Sequence, residues 1–308
     1  MTREDSGATR AEPRVALVTC DMFPELYQEE FLLRDALRAR GVTVESPLWD
    51  DATADWAAYD LAVLRSTWDY PARRDEFVAW AHTVPRLANP AAVVEWNTDK
   101  HYLRELAAAG VPVTPTTFVE PGETWQPGTT GEWVVKPTIS AGSKDTGRYA
   151  LPEEADLAVK HVARLHEAGR TAMVQPYLTA VDGVGETTLL YTPGADGALG
   201  FSHSIRKGPL LTGPDLGDKD AEYSEEISPR TASAEEVAVG DRVVAALPQG
   251  LLYARVDLIP GPDGAPLLVE VELTEPSLFW SYAEGSAERM ADAIVSRLSA
   301  GGNSGTAG

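Results

Sequence analysis

The sequence predicts a mixed α/β and α+β chain built in three parts. Its 308 residues are enough for more than one hydrophobic core. Strand and helix patterns alternate early in the chain, the signature of a parallel sheet. Late in the chain, two apolar runs are joined by Gly261-Pro-Asp-Gly264, which reads as an antiparallel hairpin.

The elements follow in order. Arg14 to Thr19 is a short apolar run and predicts a strand. Glu25 to Arg40 places Leu26, Phe31, Leu33, Ala36 and Leu37 near helical spacing, with Gly41 as the terminating residue. Val42 to Ser46 and Leu61 to Leu64 predict further strands, completing an N-terminal parallel-sheet domain over residues 1–95. A small central α+β domain over residues 96–179 opens with a helix from Asn97 to Ala109, capped by Thr98 or Asp99 and stopped by Gly110, Pro112 and Pro115. Strands are expected at Thr116 to Val119, Glu132 to Lys136 and Ala172 to Gln175, with a helix at Pro152 to Ala168. The C-terminal domain, residues 180–298, has strand patterns at Glu186 to Tyr191, Leu199 to Lys207, Leu252 to Ile259 and Leu267 to Glu272. Helices are expected at Ala234 to Leu247 and Glu284 to Leu298. The Gly/Ser/Ala-rich tail, 299–308, is expected to be disordered.

Charge narrows the function classes. With 26 Lys and Arg against 47 Asp and Glu the net charge is −21. Nucleic acid and anionic membrane surfaces are therefore unsuitable partners. A local basic pocket can still attract a small anion. The one cysteine, Cys20, ends an apolar run and reads as a buried strand-end residue. Met1 to Pro13 is polar and lacks the apolar stretch of a signal peptide. No run approaches the roughly 18 apolar residues of a membrane span. A cytoplasmic chain is expected, its oligomeric state open, a homodimer included.

The strongest chemical pattern lies in the hairpin. Arg255 and Asp257 share one face of a strand, and Glu270 and Glu272 share a face of the next. Carboxylates converging inside an apolar hairpin repel one another unless a hard cation with oxygen ligands compensates them. A solvated polar face is the alternative. Lys136 ends the apolar strand Glu132-Trp-Val-Val-Lys136-Pro137, where an ammonium needs an anion. The small-residue stretch from Ser140 through Gly142 and Ser143 to Gly147 suits backbone contact with phosphate oxygens, although a plain turn fits it too. Lys100 and the Gln175-Pro-Tyr177-Leu178 segment are unremarkable alone.

In this order along the chain, these pieces resemble the ATP-grasp superfamily, from about Asn97 to Ser277. The resemblance implies a three-part ATP-grasp fold using ATP and Mg2+, with two ions expected. Lys100 and Lys136 match the family's two lysines, Ser140 to Gly147 its flexible loop with Ser140, Gly142 and Ser143 at the phosphates. Gln175, Tyr177 and Leu178 match the adenine hinge, and Glu186 the ribose contact. Asp257 and Glu270 match the magnesium ligands, with Glu272 standing where the family usually has Asn. Arg255, Arg206 and Lys207 resemble its phosphoryl contacts. The segment Leu64-Arg65-Ser66-Thr67-Trp68-Asp69-Tyr70-Pro71 resembles a RimK-like subgroup, with the ring-closing O-ureidoserine cyclo-ligases nearby.

The resemblance implies activation of a carboxylate as an acyl phosphate, with attack by an amine-type nucleophile and release of ADP. Arg65, Trp68, Asp69 and Tyr70 would form the acceptor site, beyond the carboxyl end of a strand where α/β sheets present ligands. Packing at a domain junction is the alternative, and would move the acceptor towards Arg206, Lys207 and Glu275. The expected partners are a small-molecule carboxylate and an amine. A RimK-like ligase acting on a peptide or protein, and a nucleotide-binding protein without turnover, are the competing readings.

Overall fold

The computed structural model describes residues 12–217 and 225–301. The first sheet contains β1 (Arg14–Thr19), β2 (Thr43–Glu45), β3 (Leu61–Ser66) and β4 (Leu87–Ala88) in the order β2-β1-β3-β4, all parallel. β1 and β3 are buried at almost every position, as their near-continuous apolar runs require of a sheet covered on both faces. α1 (Phe31–Arg38) connects β1 to β2, and α2 (Arg74–Ala81) connects β3 to β4. α2 and the following α3 (Ala91–Asn97) are not among the expected elements. Each buries only two or three residues, too few to show a period.

Two expected helices are shorter than their patterns suggest. The one read from Glu25 is α1 alone, preceded by a 3-10 turn at Gln28–Glu30. Residues 20–27 form a loop in which Leu26 takes a positive φ of 74°. Pro24 disfavours helical geometry just before it, and the loop leaves the carboxyl end of β1. The helix read from Asn97 to Ala109 forms only over its second half. α3 ends at Asn97 and α4 (Tyr102–Ala108) follows a turn that carries Lys100. Asp99 accepts from the His101 N–H at 3.1 Å inside that turn.

The second sheet is antiparallel. β5 (Thr117–Val119), β6 (Gly131–Pro137), β7 (Gly147–Leu151) and β8 (Ala172–Pro176) lie in the order β5-β8-β6-β7. β7 was hidden by its short length and mixed composition. α5 (Ala155–Glu167) covers the sheet, packing Ala158, Val162 and Leu165 against Val135, Tyr149 and Val174.

After α6 (Ala180–Val184), the third sheet is formed by β9 (Glu186–Pro193), β10 (Leu199–Lys207), β11 (Ile227–Pro229), β12 (Ala254–Pro260) and β13 (Pro266–Glu272). Its order is β11-β10-β9-β12-β13, antiparallel throughout. α7 (Ala234–Ala245) starts with a reciprocal Ser233–Glu236 capping box, a device worth about 1 kcal/mol. α8 (Ser286–Gly301) packs Met290, Ala291 and Ile294 into the core of Val15, Leu17, Leu33 and Leu37. The tail expected to be disordered from Ser299 is thus helical as far as Gly301, and 302–308 lie outside the described residues. No helix of the described residues is long and apolar enough to cross a membrane.

β13 is an edge strand whose free backbone needs partners. The Tyr102 hydroxyl donates to the Val271 carbonyl and accepts from the Val271 N–H, both at 2.9 Å. Asn97 donates to the same carbonyl at 2.8 Å and accepts from the Leu273 N–H at 2.6 Å. These bonds hold the α3–α4 turn against β13, which is how Lys100 comes to face Glu270.

Candidate active site

The hairpin register pairs Arg255 with Glu272 and Asp257 with Glu270. On the other side of β12, the register of β9 and β10 sets Glu186 opposite Lys207. Like charges directly opposite on a sheet are unfavourable, and here cations are interleaved among the carboxylates. Lys100 Nζ lies 2.9 Å from Glu270, and Lys207 Nζ lies 3.0 Å from Asp257 and contacts Glu186. Arg255 lies 2.8 Å from Asp257 and contacts Glu272. The Thr188 hydroxyl donates to Asp257 at 2.8 Å.

Lys136, at the end of β6, lines the same cavity and makes no ion pair with a described residue. Burial pushes its ammonium pKa down, with Glu270 opposing. Burial also pushes Glu186 and Glu272 up to about 7 each, against the pull of Lys207 and Arg255 respectively. Asp257 behaves oppositely. Burial penalises its charge, but Arg255 and then Lys207 outweigh that and hold it below the usual carboxylate range. Glu270 is likewise lowered, burial being outweighed by Lys100 and Lys136.

The remaining walls come from the other expected segments. Ser140, Gly142 and Ser143 line the cavity, and the Lys100 ammonium donates to the Ser140 carbonyl at 3.1 Å. Gly142 and Ser143 both have positive φ, 63° and 56°, so the loop turns sharply here. Gln175, Tyr177 and Leu178 close the far end. Gln175 donates to the Thr116 hydroxyl at 2.8 Å. The Tyr177 N–H is spent on the Glu132 carbonyl at 2.7 Å, so that donor is not the one left for a ligand.

Asp257, Glu270 and Glu272 offer oxygen donors on adjacent strands, a donor set that suits a hard divalent cation. They are not bunched around one point. Among the described residues no group of three or more His, Cys, Asp or Glu side chains is arranged to hold a metal ion. The reason is the interleaving: each carboxylate already faces Lys100, Lys207 or Arg255.

A family model described as D-cycloserine synthetase DcsG, N-terminal domain, matches residues 15–89. The cycloserine biosynthesis protein DcsG of Streptomyces lavendulae is 38% identical over 284 residues, covering 86% of this chain and 92% of that protein. The chain belongs to the DcsG family. The crystal structure of D-cycloserine synthetase DcsG matches with a TM-score of 0.80 at 37% identity, over 92% of this chain and 99% of that one. Two more distant structures share the fold. A RimK domain ATP-grasp protein from Sphaerobacter thermophilus has a TM-score of 0.63 at 20% identity, covering 92% of this chain and 99% of its own. The ATP-grasp ligase PsnB, solved with a precursor variant, Mg and ADP, has a TM-score of 0.60 at 16% identity, covering 93% and 99%. The fold is ATP-grasp, and this DcsG-family member is an ATP-dependent carbon–nitrogen ligase.

In the DcsG-family chain a second cavity, of about 1070 Å3, opens beside the first. The two share Lys100, Gly142, Arg255, Glu270 and Glu272. The four residues expected at the acceptor site divide here. Trp68 and Tyr70 line the second cavity. Arg65 does not: it is fully buried, donates to Glu30 at 2.9 Å and to the Pro276 carbonyl, and lies over the Tyr253 ring at 5.1 Å. Asp69 is turned the other way and accepts from the Trp49 indole N–H at 2.9 Å. Both side chains point to internal partners and not into either cavity, with two Arg65 guanidinium nitrogens left unpartnered. Arg206 is also corrected. It neighbours Lys207 on β10, so the alternation of strand side chains sends it to the opposite face. There it donates to the Val184 carbonyl at 2.9 Å and meets Glu226 at 3.5 Å, outside both cavities.

Sequence reasoning missed Phe23, Tyr27 and Glu29, which line the second cavity from the loop after β1. Tyr27 and Glu29 fell within the helix read from Glu25, and Phe23 lay just ahead of it. The signal that could have found them is Pro24, together with the rule that ligands sit beyond the carboxyl ends of strands.

Proposed function

We propose that this ligase phosphorylates the carboxylate of a small amino acid at the expense of ATP, and that a nitrogen of the same molecule then displaces phosphate and closes a ring. O-ureidoserine is the substrate this reading favours. The observation that supports it best is the charge-alternating face of β10, β12 and β13 opening directly from one cavity into the next. That arrangement suits a nucleotide in the first cavity and an amino acid in the second.

In this reading residues 96–179 and 180–298 clasp the nucleotide, and 1–95 close the acceptor side. The hinge at Gln175 to Leu178 receives the adenine, and Glu186 the ribose. Lys100 and Lys136 neutralise phosphate charge, while Ser140, Gly142 and Ser143 cover the phosphates. Asp257, Glu270 and Glu272 would hold Mg2+, two ions in the fullest form, which offsets phosphate charge as the phosphoryl group moves. Arg255 and Lys207, on the same face of the third sheet, stabilise the charge that develops on that group. The cavity walls keep water from the acyl phosphate. No covalent enzyme nucleophile is required.

The test is the spent nucleotide. Incubation with ATP, Mg2+ and O-ureidoserine, beside a panel of amino acids, should release ADP and phosphate in a substrate-dependent way. AMP as the product overturns the acyl phosphate route. ADP release that needs a second amino acid or a peptide overturns the ring closure.

A further inference from the structure

Glu275 follows β13 in the chain and is only 7% exposed, yet it lines the second cavity. Its carboxylate makes no hydrogen bond or ion pair with any described residue. The charged groups around it are otherwise engaged. Lys100 faces Glu270, Arg255 faces Asp257 and Glu272, and Glu29 accepts from the Ser281 hydroxyl at 3.1 Å. Burial, followed by the nearby Glu272, pushes the Glu275 carboxyl up to about 8. A buried carboxyl in that condition is stabilised by an arriving cation.

The surroundings suit a cation with carbon attached. Trp68 stands at the centre of an aromatic wall, its ring 5.2 Å from Phe23 and 5.2 Å from Tyr27. All three line the cavity. Aromatic faces attract ammonium groups and exclude water from a neighbouring ion pair.

Glu275 is also held from behind. Its own carbonyl accepts from the Trp68 indole N–H at 2.9 Å, and the next carbonyl, of Pro276, accepts from Arg65. The segment Arg65 to Trp68 therefore sets the point from which the Glu275 side chain departs.

Resting on the proposed function, we propose that Glu275 anchors the substrate's α-ammonium group and so makes this ligase select amino acids over plain carboxylic acids. On binding, the carboxyl releases its proton to solvent and pairs with the ammonium. Arg65 and Trp68 are positioning residues for that contact.

The experiment compares ADP release with O-ureidoserine and with the same acid lacking its α-amino group. The wild type should favour the amino substrate by at least roughly 100-fold in kcat/KM, as a site built for a buried polar group does. Glu275→Gln should raise KM for O-ureidoserine about 100-fold. It should bring the preference close to one, and leave kcat and Mg-ATP affinity by calorimetry within a few-fold. Glu275→Asp, which keeps the charge with shorter reach, should fall between and retain the preference. A Glu275→Gln enzyme that keeps the wild-type preference overturns the inference. So does one that loses kcat at unchanged KM, the pattern of a proton-transfer residue. If the wild type releases no ADP with any amino acid offered, the functional reading fails and this inference with it.

Discussion

Two buried charge clusters in this chain are made of the same chemistry and end in opposite roles. At the junction of the first sheet with the segment that follows β13, Arg65 and Glu30 are sealed, with side-chain exposures of 0% and 3%. Glu30 is further held by the Trp280 indole at 3.3 Å, and the Arg65 guanidinium lies over the Tyr253 ring. In the cavity between the second and third sheets, Lys100, Lys136, Lys207 and Arg255 face Glu186, Asp257, Glu270 and Glu272. There Lys136 has no ion-pair partner among the described residues, and two of the carboxyls titrate near 7. The first cluster is closed: Arg65 pairs with Glu30 and faces neither cavity, although two of its guanidinium nitrogens are left without a hydrogen-bond partner. The second is open, with cationic capacity to spare for an anion. A buried charge therefore marks a ligand site when its partners are incomplete and it faces a cavity, not because it is buried.

The largest effect should come from the incomplete cluster. Lys136→Met removes a cation that no described carboxylate pairs, so Mg-ATP affinity should fall roughly 100-fold, about 3 kcal/mol. The melting temperature should hold or rise, because an unpaired, half-buried charge is lost. Isothermal titration with calorimetric melting measures both. Wild-type nucleotide affinity in this variant would erase the contrast between the clusters.

The closed cluster should respond in the other currency. Arg65→Ala strands Glu30 in the core and should cost about 3–5 kcal/mol of folding stability in denaturant titrations. Mg-ATP affinity should be unchanged. A variant that kept its stability but could not bind nucleotide would mean that Arg65 belongs to the open cluster after all.

A smaller effect is expected from pH. Glu186 and Glu272 are raised to about 7, and Glu275 to about 8. A carboxyl raised in the folded state favours the fold while protonated. Its contribution is full below the ordinary carboxylate range and is lost as pH climbs through the raised value. The nucleotide-free protein should therefore melt lower at pH 8 than at pH 5, and Glu275→Gln should flatten that slope. A melting temperature that rises steadily over the interval contradicts the burial of these acids.

The smallest effect sharpens the boundary. Arg206 borders the open cluster in sequence but faces away from it, on contacts worth less than about 1 kcal/mol. Arg206→Ala should leave steady-state kinetics unchanged and stability nearly so. A kcat loss of tenfold or more would return it to the phosphoryl site.

Much of this was legible in the amino-acid sequence because it rests on local periodicity. The hairpin from β12 to β13 and the face shared by Asp257, Glu270 and Glu272 follow from strand alternation, and the turn at Gly261 to Gly264 follows from its residues. The lysine at the end of β6 was conspicuous for lying in an apolar run. Residues 25–30 were misread because a loop and a 3-10 turn can carry apolar residues at helical spacing. α2, α3 and β7 were missed because each is short.

By itself, then, the sequence determined most of the longer strands, their faces and the inventory of charges that a nucleotide site requires. Tertiary structure alone decided which charges remain available. Nothing local to Arg65 says that Glu30, 35 positions away, will consume it. Nothing local to Lys100 says that Tyr102 and Asn97 will dock its turn onto β13. The physical reason is that a side chain's direction follows from its own backbone, whereas its electrostatic partners are assembled by contacts between segments far apart in the chain.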